Sequence, residues 1–219
     1  MMIGPEAFYE FECAGKTRDE LLKLSKTLRS EIARYTKMLE DPAARDPELE
    51  LLPSPDTVLE LDYEYLQTVR KALSELGEEY PATPAEQKAA AFDAALENLA
   101  SLTYVISGYL YGAETFRLIP GDGGFTAIYE KHISGDGPEA SALSLPKEEV
   151  LAELRRLHMG DWKKRYENPA VLDGVSWSVT LTYRDGTGKC EFSGRNSFPW
   201  SLGRLEDLFG QFFPEVDAE

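Results

Sequence analysis

The chain has 219 residues, 42% of them hydrophobic and 11% aromatic, with a formal net charge of −16. That composition can build a real core, which excludes wholesale disorder, and the length allows one large domain or two small ones. So acidic a balance disfavours broad nucleic-acid binding, because phosphates are repelled.

In chain order, Glu6 to Cys13 mixes Phe8, Tyr9 and Phe11 with acids and reads as a strand, broken by Gly15-Lys16. Thr17-Arg18-Asp19-Glu20 is a capping box, in which the Thr17 hydroxyl and the Glu20 carboxylate each satisfy a free backbone N–H. The helix behind it carries Leu21, Leu24, Leu28, Ile32, Tyr35 and Leu39 at steps of three and four, one apolar stripe. Asp41-Pro42 ends it, and residues 41–55 read as a surface connection. Ser54-Pro55 starts a second helix with the stripe Leu59, Tyr63, Leu66, Val69, Leu73 and Leu76, closed by Gly77. A second capping box, Thr83-Pro84-Ala85-Glu86, opens a third helix lined by Ala89, Phe92, Leu96 and Leu99.

Residues 102–133 are rich in aromatic and β-branched residues and punctuated by glycine. They read as strands near 102–107, 114–120 and 125–132, although the first run also fits an extension of the third helix. Residues 134–145 read as a flexible connection. Pro146 opens a fourth helix with Val150, Leu151, Leu154 and Leu157, ending near Gly160. Trp177, Val179, Leu181 and Tyr183 then alternate with Ser176, Ser178, Thr180 and Thr182, the period of a half-buried strand. Arg184 to Gly188 turns the chain, Lys189 to Ser193 returns it, and a last helix carries Leu202, Leu205, Leu208 and Phe209. Pro214 to Glu219 is expected to fray.

No reaction chemistry stands out. Gly15-Lys16-Thr17 lies where a phosphate loop would, but position 10 is Glu10 rather than the required glycine. His132 and His158 belong to no HExxH pattern, and no CxxC pair accompanies them, so a zinc site has no signature. Asp122, Asp136, Asp173 and Asp185 each precede a glycine, which is turn chemistry. Cys13 and Cys190 lie far apart and are expected to be free thiols in a reducing compartment. No apolar run reaches the ~20 residues that span a bilayer. MMIGPEAFYEFECAG has no basic region leading an apolar core, as a signal peptide needs. The expected location is cytoplasmic.

Charge is unevenly spread: residues 16–40 carry seven Lys/Arg against four Asp/Glu, and residues 41–100 carry four against fourteen. Two stretches are candidate partner-binding sites. One concentrates Arg155, Arg156, Lys163, Lys164 and Arg165 with the aromatics Trp162 and Tyr166 in an otherwise acidic chain. It suits better a helix C-terminus with its usual cations, His158 among them, and two packing aromatics. The other is the loop Ser193 to Pro199, where Arg195 and Asn196 face a partner or simply aim the last helix.

Tyr166, Asp173-Gly174, Trp177, Tyr183, Asp185-Gly186, Gly194, Asn196, Phe198-Pro199 and Leu205 together resemble a pattern of uncharacterised bacterial proteins. In these a strand starting near a tryptophan leads through a short turn to a G-x-N-x-[YF]-P segment and a leucine-rich helix. The resemblance covers roughly residues 160–210. It implies a fold and no known activity, so no catalytic residue transfers.

The expectation is one α+β domain over 1–219, with an antiparallel sheet of five or six strands packed on helices and an N-terminal layer of three helices. It divides into a mainly helical part, 1–101, and a sheet with two helices, 102–219. The expected function is a non-enzymatic protein-interaction module: an inhibitor, immunity or anti-defence type of acidic protein. It would have a protein partner and no catalytic, cofactor or metal residues. A carboxylate-dependent hydrolase and a helix-mediated dimeric scaffold are the alternatives.

Overall fold

The computed structural model describes residues 3–41, 53–108, 112–121, 123–132, 139–171, 173–184, 186 and 188–213, without the side chains of 132, 139–142, 211 and 212. The turn residues Asp122, Asp136 and Asp185, most of the 41–55 connection and the tail from Pro214 lie outside this set. The chain divides into two compact units, Met1–Ala82 and Thr83–Glu219.

The first unit is helical. Its opening segment corrects the expected strand: α1 spans Pro5–Phe8 and runs directly into a π-helix, Tyr9–Cys13. Pro5 sits at the first helical position, where its fixed φ favours a helix. The wider π turn then brings Cys13, five residues on, to the buried side with Phe8, and leaves Phe11 71% exposed. Aromatics alternating with acids imitate a strand, but the true repeat is one π turn. Both helical stripes hold. Helix α2 (Arg18–Glu40) and α3 (Pro55–Glu75) pack on each other, burying Leu21, Leu28, Leu66, Val69 and Leu73. Thr17 and Glu20 close the expected capping box, and Gly77 adopts φ +74° at the far end of α3. Of the stripe leucines, Leu21, Leu28, Leu59, Leu66 and Leu73 are buried, Leu24 and Leu39 are half-buried, and Leu76 is 52% exposed.

The second unit is an α+β layer pair. Among the described residues its sheet has seven strands: β1 (Leu99–Gly108), β2 (Gly112–Gly121), β3 (Gly124–His132), β4 (Glu139–Pro146), β5 (Arg165–Glu167), β6 (Val175–Tyr183) and β7 (Lys189–Arg195). The order is β4-β3-β2-β1-β6-β7-β5. Every pairing is antiparallel except β5 with β7. Seven exceeds the expected five or six, and β4 and β5 are the strands that were not read from the sequence. Strand β4 lies in the stretch read as a flexible connection, since Ala and Ser have little strand preference and the ladder to β3 supplies the order. Strand β5 is too short to show a period.

Helices α4 (Pro84–Ala95), α5 (Lys147–Arg156) and α6 (Leu202–Phe212) belong to this unit. The expected third helix of an N-terminal layer therefore goes with the sheet. It also ends earlier: Leu96 lies in a 3-10 turn and Leu99 opens β1, so the first apolar run is strand and not helix. The core draws on one face only. Leu102 and Tyr104, Phe116 and Leu118, Phe125, Ala127 and Tyr129, and Trp177, Val179 and Leu181 point to Leu151, Leu154, Leu205 and Phe209. Phe209 packs tilted against Phe116, ring centres 4.7 Å apart, and Tyr104 donates its hydroxyl to Glu206 at 2.6 Å. The other face carries Ser101, Thr103, Val105 and Ser107 beside Thr182, Thr180, Ser178 and Ser176. Its central ion pair is Arg117 with Glu130, 3.4 Å apart.

Candidate functional site

The G-x-N-x-F-P segment closes the corner between β7 and the loop before β6. Gly194 leaves room for the Trp177 indole, which a Cβ there would overlap. The indole N–H donates to the Ser197 carbonyl at 2.8 Å. Asn196 is left-handed, φ +53°, a conformation asparagine tolerates better than most side chains. Its Oδ1 accepts the Val175 N–H at 2.9 Å, and its Nδ2 donates to the Val171 carbonyl at 3.2 Å. Thus it ties the loop before β6 to the end of β7, and Gly174 must lack a side chain because Asn196 fills that space. Phe198, 38% exposed, stacks on Trp177 at 6.4 Å. Arg195 is exposed beside this corner.

The basic aromatic run separates into rings that pack and cations that stay outside. Trp162 is 3% exposed and donates to the Leu157 carbonyl and the Ser201 hydroxyl, both at 3.0 Å. Tyr166, equally buried, accepts the Lys163 backbone N–H at 3.1 Å. Both rings meet Trp177. Arg155 binds Glu97, Arg156 binds Glu153 and Arg165 binds Glu167. Lys164 reaches the Cys190 sulfur at 2.8 Å and lies 4.5 Å from the Phe192 ring centre. Lys163 lies 5.3 Å from the Tyr166 ring centre. Cysteines 13 and 190 are both unbridged.

His158 departs from its expected role as a cation at a helix end. It follows α5 in the left-handed conformation, φ +49°, where glycine is usual, and stacks on Trp200 at 5.9 Å. Burial, then the nearby Arg204 charge, lowers its pKa to about 4, so the imidazole is neutral at pH 7.

Two acids that the sequence did not single out have raised pKa values. Gly160 packs so closely on Ala89 of α4 that a Cβ would collide with its backbone. That approach sets Asp161 near Asp93, whose pKa rises to about 6 through burial and the Asp161 charge, against the pull of Arg155. In the helical unit Asp62 is 7% exposed, and no hydrogen bond reaches its Oδ2. Burial and then Glu31 push its pKa up to about 6, opposed by Arg34. The signal was present: Asp62 lies at helical spacing between the buried Leu59 and Leu66, so it belongs to the inward stripe.

The Gly15-Lys16-Thr17 segment borders an open groove of about 250 Å³ lined by Glu12, Lys16, Glu20, Lys23, Leu24 and Thr27. The Thr17 N–H and hydroxyl both donate to Glu20, so this helix start is capped by its own side chains. Among the described residues no three His, Cys, Asp or Glu side chains converge as a metal site, and no helix is long and apolar enough to cross a membrane. The chain matches no protein-family profile and no curated protein.

Proposed function

We propose that the chain is a non-enzymatic protein-interaction module, an acidic protein of inhibitor, immunity or anti-defence type that acts by binding a cationic protein. The observation that supports this most is where the chemistry-capable side chains are used. Asn196 ties a loop, and Ser201 donates to the Leu157 carbonyl at 2.6 Å. Trp162 and Trp177 lock the end of the sheet, and Tyr104 is bonded inside the core. What the surface offers a partner is charge, and the surplus is −16. A field of that sign accelerates encounter with a cationic surface and repels nucleic acid.

The test is capture from source cells on immobilised full-length chain, eluted by a salt gradient. A basic protein held in stoichiometric amount at low salt and released as salt rises supports the reading. Recovery of no protein even at low salt contradicts it. The carboxylate-hydrolase alternative has one observation in its favour, the Asp93 and Asp161 pair beside Arg155. Hydrolysis of a chromogenic ester or glycoside panel that is lost in Asp93→Asn would establish it instead.

A further inference from the structure

The two edges of the sheet are defended differently. Strand β5 is three residues long, carries Arg165 and is preceded by Lys163 and Lys164. Short length and lysines blunt an edge against pairing with another chain. Strand β4 has eight residues, Glu-Ala-Ser-Ala-Leu-Ser-Leu-Pro. Its register with β3 runs without a bulge from Gly124↔Pro146 to Lys131↔Glu139. It contains no lysine or arginine, and its proline is the last residue. Among the described residues no strand pairs with its outer side. Alternate N–H and C=O groups along that side are therefore available to a further strand. Leu145 is 6% exposed, whereas Leu143, two residues closer to the middle of the strand and on the same face, is 45% exposed. A neighbouring strand would cover it.

We propose that the β4 edge receives an extended cationic segment of a partner protein as an eighth strand. This rests on the interaction reading and names its mode. Charge selects the occupant. The centre of β4 is uncharged, whereas its ends are acidic: Glu139 begins it, and Glu148 and Glu149 stand exposed in the first turn of α5. Lys147 between them is engaged with Glu97 at 2.9 Å. The matching ligand has a β-branched or aliphatic centre to lie on Leu143, Lys or Arg at both ends, and no central proline, since its N–H groups must donate. A second copy fits worse, because antiparallel β4 pairing would bring Glu139 of one copy toward Glu148 and Glu149 of the other.

The probe is the fluorescein-labelled peptide Lys-Lys-Thr-Val-Thr-Val-Thr-Val-Lys-Lys, titrated into the full-length chain and followed by polarisation. The expected result is saturable binding that weakens at least about tenfold with Leu143→Lys, with a Glu-flanked peptide or with a central proline. Leu143 is exposed, so the variant should fold, which tryptophan emission checks; Ala142→Lys is the second variant if it does not. A chain carrying Lys163→Glu and Lys164→Glu should bind as the wild type does. No saturable binding, equal binding by Leu143→Lys, or loss with the Lys163/Lys164 change overturns the proposal. So does a dimer in light scattering that Leu143→Lys dissolves, which assigns the edge to a second copy. Capture of the same cellular partner by wild type and Leu143→Lys alike overturns the β4 site but leaves the interaction reading standing. Peptide binding without any cellular capture defeats the interaction reading and leaves the edge intact.

Discussion

The helical unit and the sheet unit differ in the titratable groups they bury. In the helical unit Asp62 sits in an apolar stripe with an unbonded oxygen, and its pKa rises to about 6. In the sheet unit His158 is held neutral against Trp200, and its pKa falls to about 4. Acidification therefore acts on these two groups with opposite signs, and within the sheet unit Asp93, raised to about 6, opposes His158. The difference shows where each keeps its polar weak points: within a helix pair for one, at a helix-capping corner for the other. All three tryptophans, Trp162, Trp177 and Trp200, lie in the sheet unit, so their emission reads that unit alone.

The largest expected effect is that of Trp177→Ala. The indole bonds Ser197 and touches Trp162, Tyr166 and Phe198, so its loss should cost the sheet unit about 3–5 kcal/mol. Urea unfolding followed by the remaining tryptophans measures it. Backbone exchange in α2 and α3 should stay unchanged; a matching loss there would break the distinction between the units.

Asp62→Leu, a similar shape without charge, should stabilise the helical unit at pH 8 by about 2 kcal/mol. The sign follows from the raised pKa. The stability linked to Asp62 is full below the unfolded value near 4 and is lost as pH rises through about 6. The variant should lack that fall, read by amide exchange of α2 and α3 at pH 5 and pH 8. A variant that is less stable at pH 8 would show that the charge has a native partner.

Asn196→Ala removes two hydrogen bonds and leaves an L-residue at φ +53°, an expected loss of about 1–2 kcal/mol in the sheet unit. A neutral result would return the G-x-N-x-F-P loop to the list of binding surfaces.

For His158 the linkage runs the other way. Its stability is present above the unfolded pKa near 6.5 and is lost as pH falls toward about 4. The group is only partly buried by area, so the drop is expected to be about 1 kcal/mol. Asp93 in the same unit gains stability over that window, so the comparison needs His158→Asn against wild type rather than a single profile. The smallest effect belongs to Lys163→Glu, expected within about 0.5 kcal/mol because that side chain is exposed.

These contrasts also mark what the sequence could reveal. Stripes at steps of three and four located α2, α3, α5 and α6, and strict alternation located β6, because each has one wet face and one dry face. The π-helix was hidden because its repeat matches neither period. Strand β4 was hidden because Ala and Ser carry no preference and its order comes from β3. Of the nine candidate binding residues, the rings of Trp162 and Tyr166 and the amide of Asn196 lie in packing or backbone bonds. A residue list cannot show which way a ring points. Nor could it show that Ala89 and Gly160 meet and carry Asp93 toward Asp161, a contact made across 71 positions.

The central claim is that function lies on an undefended edge of the sheet and that the recognisable C-terminal motif is scaffold. Amide hydrogen exchange of the full chain with and without the Lys-flanked peptide tests it most directly. The account predicts slowed exchange confined to residues 139–146 and the start of α5. Slowing at Gly194–Pro199 and β5 instead, with β4 unchanged, would contradict it.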